Sequence, residues 1–226
     1  MRSIDNIKVE FPILSQVQNG KTIAYLDSGA SAQKPKCVID GMSKFTETSY
    51  ANVHRGVYHL SQQATYEFER SRGKISLFLH AKNPKEIVLT RGLTEGVNLV
   101  AQSFVKPKLK AGDEILVSAM EHHSNLVPWQ LIAIETGANV RVIPVLDNGE
   151  LDMNALPGLL TSKTKALAIT HVSNVLGTIN PIHEITKLAH EKNIPVIVDG
   201  AQAGPHIPVN VQQLDCDFYL ITGHKL

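Results

Sequence analysis

KALAITHVSNVLGTINPIHEITKLAHEKNIPVIVDGAQA, residues 165–203, contains one complete folding unit. KALAIT (165–170) is a short apolar run of strand length. PIHEITKLAHEKN (181–193) places Ile182, Ile185, Leu188 and Ala189 on one helical face, and Pro181 suits a helix start because its missing N–H costs nothing there. IPVIVD (194–199) is a second apolar run. Strand, helix, strand within some 35 residues predicts a parallel pair joined by a crossover helix, the repeating element of an α/β sheet.

Working outward, the same alternation recurs. EIVLT (86–90) reads as a strand leading through a glycine turn to a helix near Val97, and DEILVS (113–118) as a strand leading to a helix over 125–136. NVRVIPV (139–145) and FYLIT (218–222) complete the strand set. Residues 63–80 read as a long helix with Ala64, Phe68, Ile75, Phe78 and Leu79 as its apolar points. There is no internal repeat or low-complexity tract. The expected organisation is an N-terminal arm over 1–20 and one α/β domain over 21–226.

The chain has 226 residues, 22 Lys+Arg against 21 Asp+Glu, and 43% hydrophobic residues, which excludes a disordered or collagen-like chain. A net charge of +1 gives no electrostatic reason to expect nucleic acid or an anionic membrane as partner. Two cysteines, Cys37 and Cys216, fit a reducing compartment rather than a disulfide scaffold, and both read as small apolar fillers. The N-terminus lacks the apolar stretch of a signal peptide, and no run approaches the ~20 residues that span a bilayer. A cytoplasmic protein is expected.

Ligands of open α/β sheets collect beyond the carboxyl ends of the strands. Five of the expected strands end in chemically useful residues: Arg91–Gly96, Ala119–His123, His171–Asn174, Asp199–Gln202 and Gly223–Lys225. RGLTEG (91–96) has the shape of an anion cradle, with Thr94 either a hydroxyl donor to the anion or the N-cap of the helix. Neither GxGxxG nor GxxxxGK is present, which weighs against nicotinamide dinucleotides and nucleoside triphosphates. Asp199, at the end of an apolar run, needs a cationic or hydrogen-bonding partner, or else caps the following turn; Gln202 reaches the same region. Lys225 is either an ordinary surface lysine or a nucleophilic amine in a partly desolvated pocket. His122 and His123 invite a metal reading with His171 and Asp199, but adjacent side chains diverge and no zinc-ligand spacing accompanies them.

Together YLDSGASAQKP (25–35), NVHRG (52–56), RGLTEGVNLVA (91–101), MEHHSNLVPWQ (120–130), ITHVSNVLGT (169–178), VDGAQA (198–203), LDCDFY (214–219) and TGHKL (222–226) resemble aminotransferase class V enzymes that use pyridoxal 5′-phosphate (PLP). Within that class the chain is most similar to the Suf-type, or group II, cysteine desulfurases. The resemblance implies the large domain of PLP fold-type I, a mostly parallel sheet flanked by helices. It implies PLP attached to Lys225, Asp199 against the pyridine nitrogen, Gln202 and Asn174 on the ring-hydroxyl side, and His122 stacked on the ring. Thr94, Thr222, His224 and the backbone around Glu95 would hold the phosphate. Leu93 and Thr222 stand where the family has Thr and Ser, and Gly29 where Ala is usual; Thr222 keeps the hydroxyl.

The implied activity is conversion of L-cysteine to L-alanine, with sulfur passed to an enzyme cysteine and on to an acceptor protein for iron–sulfur cluster assembly. The implied assembly is a homodimer. Family members are far longer, so the chain is expected to be an N-terminal part, incomplete at the C-terminus and inactive alone. The missing part would supply the substrate-binding arginine and the sulfur-accepting cysteine, with which neither Cys37 nor Cys216 aligns. Selenocysteine lyase activity, a non-catalytic PLP-binding fragment, and a metal-dependent hydrolase built on His122, His171 and Asp199 are the alternative readings.

Overall fold

A computed structural model describes residues 3–226; the first two residues of the expected arm lie outside that range. The chain divides into two compact units. One runs up to Leu77 and includes Lys225, and the other holds Phe78–His224 with Leu226.

The first unit contains a two-residue antiparallel hairpin, Val17–Gln18 with Lys21–Thr22, turned by Asn19 and Gly20 at positive φ. Helix α1 (Lys36–Thr48) and most of α2 (His59–Phe78) follow. The loop over 52–56 is fastened to α2: the Ser61 hydroxyl donates to Asn52 O at 2.6 Å, and the His54 N–H donates to Thr65 Oγ1 at 2.9 Å.

The second unit is a three-layer α/β/α arrangement. Its strands are β1 (Glu114–Ser118), β2 (Asn139–Ile143), β3 (Thr164–Thr170), β4 (Val196–Asp199) and β5 (Phe218–Leu220), all parallel, in the order β2-β1-β3-β4-β5. The two-residue side-chain period divides the core. Leu116, Leu167, Ile169, Val196 and Val198 pack with Ile182, Ile185 and Ala189 of α5 (Ile182–His190). Ile115, Val117, Ala166, Ala168 and Ile197 face the other way. They meet Leu93, Val97 and Val100 of α3 (Leu93–Val100) and Trp129, Ile132 and Ala133 of α4 (Val127–Thr136). The expected mostly parallel sheet with flanking helices is therefore the observed one.

Two local expectations change. EIVLT does not enter the sheet: Ile87 is extended, but Val88 and Leu89 are exposed and none of the five strands pairs with the segment. An apolar β-branched run sets an extended backbone, while a strand also needs a neighbouring ladder, which composition cannot report. The helix after the glycine turn begins at Leu93, four residues before the expected start, with Gly92 rather than Thr94 as its N-cap.

The strand order fixes where a ligand belongs. The chain passes from β1 outward to β2, then returns to the other side of β1 as β3. The crevice beyond the carboxyl ends of β1 and β3 is thus the switch point of the sheet, where connections leave in opposite directions.

Candidate active site

Four segments meet the carboxyl edge of the second unit. The first is the start of α3. Gly92 has φ +154°, a conformation that side chains disfavour, and a Cβ there would lie 3.8 Å from Thr222 Oγ1. With no side chain capping α3, its first N–H groups are left without intrahelical acceptors, an arrangement suited to an anion. Thr222 is buried, and its Oγ1 lies 2.9 Å from His224 Nδ1. The Glu95 carboxylate folds back to accept the Arg91 N–H, which leaves its backbone rather than its side chain at the helix entrance.

The second segment is the turn after β1. The Thr94 hydroxyl donates to Ser124 Oγ at 3.1 Å, and Ser124 Oγ lies 2.9 Å from His122 Nδ1. The Ser124 N–H also donates to that nitrogen at 3.1 Å. An N–H donor requires a lone pair, so His122 carries its proton on Nε2 in this arrangement. Ser124 therefore links the ring to the anion cradle.

Beneath His122 lies a polar chain. The Glu121 carboxylate accepts from Ser118 Oγ at 2.5 Å, Asn125 Nδ2 at 2.6 Å and the Thr170 N–H at 2.8 Å. Trp129, fully buried, donates its indole N–H to Asn125 Oδ1 at 3.1 Å. Burial pushes the Glu121 carboxyl up to about 7, opposed by its three hydrogen bonds and reinforced by the charge of Asp199.

The third segment ends β4. Asp199 is buried, its Oδ1 accepts the Ala201 N–H at 2.9 Å, and its carbonyl accepts the His171 N–H at 2.8 Å. Gln202 is buried one turn on. Tyr219 of β5 packs so closely under Gly200 that a Cβ there would overlap its ring, so only glycine suits that position. The Tyr219 phenol lies 2.8 Å from His171 Nδ1; burial raises the phenol and lowers the imidazole, so both stay neutral and share one hydrogen bond. The fourth segment follows β3. Asn174 stands exposed in a turn closed by the Gly177 N–H on Ser173 O at 3.0 Å.

Of the residues singled out from sequence, Thr94, Glu95, His122, Asn174, Asp199, Gln202, Thr222 and His224 all lie in the second unit, on the segments that follow its strands or open α3. Thr94 and His122 are joined through Ser124, and Thr222 with His224 directly. Lys225 is half-buried, follows the turn at Gly223–His224, and groups with the first unit. Among the described residues, no three His, Cys, Asp or Glu side chains are grouped to hold a metal ion. Sequence reading missed Glu121, Ser124, Asn125 and the His171–Tyr219 pair. The one available signal was Glu121 itself, a carboxylate three residues past an apolar strand.

The arrangement is that of an α/β protein with an uncapped helix entrance and a buried carboxylate at the carboxyl edge of its sheet. The sequence profile of the aminotransferase class-V family matches residues 24–226, and the chain belongs to that family. A cysteine desulfurase of Shigella sonnei is 54% identical over 224 residues, which are 99% of this chain and 55% of the relative. Two solved structures are similar. The apo cysteine desulfurase of Thermococcus onnurineus has a TM-score of 0.91 at 36% identity over 99% of this chain and 54% of its own. The cysteine desulfurase CsdA of Escherichia coli has a TM-score of 0.85 at 38% identity over 100% and 55%. The chain thus spans about 55% of the length of the curated relative it matches. Among the described residues, no helix is long and apolar enough to cross a membrane.

Proposed function

We propose that this chain carries the PLP-binding part of a Suf-type cysteine desulfurase acting on L-cysteine. One observation carries the reading: a helix entrance suited to a phosphate and a buried carboxylate suited to a pyridinium face the same sheet edge, with the His122 turn bonded to the former through Ser124. The donor set fits PLP at both ends. Gly92, the α3 N–H groups, the Thr94 and Thr222 hydroxyls and His224 make an anion cradle, and Asp199 supplies the negative charge a protonated ring nitrogen needs.

PLP, when bound, supplies a sink for the negative charge formed at the substrate Cα. The protein's part is then to place and hold protons. Asp199 would keep the ring nitrogen protonated, and Gln202 and Asn174 would face the ring hydroxyl. His122 would lie against the ring with Nε2–H available as a donor. Lys225 would carry PLP covalently and, once released by the substrate amine, move the Cα proton; general acid–base help of this kind is typically worth ~10²–10⁴-fold. Sulfur would pass to an enzyme cysteine and an acceptor protein for iron–sulfur cluster assembly, in a cytoplasmic homodimer. Residues 1–20 would form an arm to a large domain over 21–226.

Lys225 is expected to be the attachment point. Borohydride reduction of PLP-loaded protein followed by peptide mass mapping should place the pyridoxyl group there. Recovery on Lys187 or Lys192 would overturn the assignment. Release of alanine from L-cysteine by a PLP-loaded full-length version then tests the activity itself.

A further inference from the structure

We propose that Glu121 is a positioning residue of this site: its carboxylate fastens the turn bearing His122 to the end of β3 and sets a second negative charge beside Asp199. The inference rests on the function proposed above for its meaning, and on the following geometry for its substance.

β1 pairs with β3 only as far as Val117 opposite Ala168. Two residues further along β3, the Thr170 N–H meets a Glu121 oxygen where the ladder would have offered a carbonyl. The side chain thereby extends the β1 edge past the point where its backbone turns away. The remaining donors come from Ser118, the last residue of β1, and Asn125, at the far end of the turn, so one carboxylate closes the loop that carries His122. Trp129 fixes the orientation of the amide: because its N–H occupies Asn125 Oδ1, Nδ2 must face Glu121. All three partners are donors, which suits an anion; a protonated carboxyl would turn an O–H toward one of them.

Thr170 is also the residue of β3 paired with Asp199 on β4. The two residues thus meet the end of β3 from its two neighbouring strands, and the charge of Asp199 acts on Glu121. His122 and His123 follow Glu121 on its own turn, and His171 follows Thr170. A carboxyl held up by burial and a like charge ionises as the pH rises through about 7, so the second charge is present above that pH and absent well below it.

The test uses the 226-residue chain in two measurements. In the first, carboxyl ¹³C resonances are titrated without cofactor. The Glu121 midpoint should fall in Asp199→Asn, because a like charge has gone, and rise in Ser118→Ala, because a donor to the anion has gone. A midpoint unmoved by Asp199→Asn would overturn the charge coupling, and one unmoved or lowered by Ser118→Ala would overturn the clamp. In the second, PLP affinity is read from absorbance for wild type and Glu121→Gln. The variant should bind about tenfold more weakly near pH 8.5, and the deficit should close near pH 5.5, where the wild-type carboxyl is itself neutral. An equal deficit at both pH values would mean a packing role only and would sink the proposal. Should Glu121→Gln fail to fold, the Ser118→Ala titration still decides the clamp. Should wild type take up no PLP at either pH, the proposed function fails while the titrations still judge Glu121.

Discussion

Replacing Asp199 with asparagine in a full-length version is expected to leave PLP bound and to slow removal of the substrate Cα proton by roughly 10²–10³-fold, the range for losing one preorganised charge-stabilising group. Asp199 ends β4, is buried, and is steadied by the Ala201 N–H on Oδ1 and by β3, whose His171 N–H meets its carbonyl. Asparagine has nearly the same shape and can keep the turn, but it carries no charge to hold a proton on the ring nitrogen. The proposed phosphate cradle at α3 and Thr222 is on other segments and would remain. Exchange of the Cα hydrogen of L-cysteine with deuterated solvent measures the step directly. An Asp199→Asn protein exchanging at the wild-type rate would remove Asp199 from the reaction.

Trp129→Ala should cost the second unit ~3–5 kcal/mol of stability, the range for truncating a large buried aromatic. Trp129 is fully buried beneath the sheet among Ile115, Val117, Ile132, Ala133, Ala166 and Ala168, so no water fills the space it leaves. It also donates to Asn125, and removing the donor frees the amide that faces Glu121. Trp129→Phe separates the two contributions: most of the volume stays, and the unmet Asn125 oxygen should cost about 1–3 kcal/mol by itself. Urea unfolding followed by circular dichroism gives both values, since Trp129 is the single tryptophan and its own fluorescence is lost. A Phe variant as unstable as the Ala variant would assign the whole effect to the hydrogen bond.

The sheet was legible because its signals are local. Leu116 and Ile115, or Leu167 and Ala168, alternate in sequence as they alternate between the two cores, and Ile182, Ile185 and Ala189 repeat at helical spacing. The glycine turn leading to a helix at 91–96 was legible because it is written in adjacent residues, although the helix begins earlier and is capped by Gly92. EIVLT failed because a strand is made by its neighbour. Glu121 was passed over because its donors are 3, 4 and 49 positions away, and only the fold brings Thr170 to it. The same distance hid Tyr219, whose neighbours Gly200 and His171 come from two other strand ends. His122 drew notice through its doubled histidine, while Ser124, which sets its tautomer, resembled an ordinary turn serine.

Cys216 gives the molecule an internal clock for its own opening. It precedes β5 at the amino end of the strand, packs on the α5 side of the core, and burial followed by the charges of Asp217 and Asp215 pushes its thiol up to about 12. Near pH 8 only ~1 in 10⁴ such thiols is ionised, and it is the thiolate that attacks an alkylating reagent. Cys37 is exposed on α1 in the other unit, so it samples reagent while the fold is intact. The ratio of label on the two cysteines therefore counts excursions of the β5 edge against a standard carried by the same chain, with no probe engineered in.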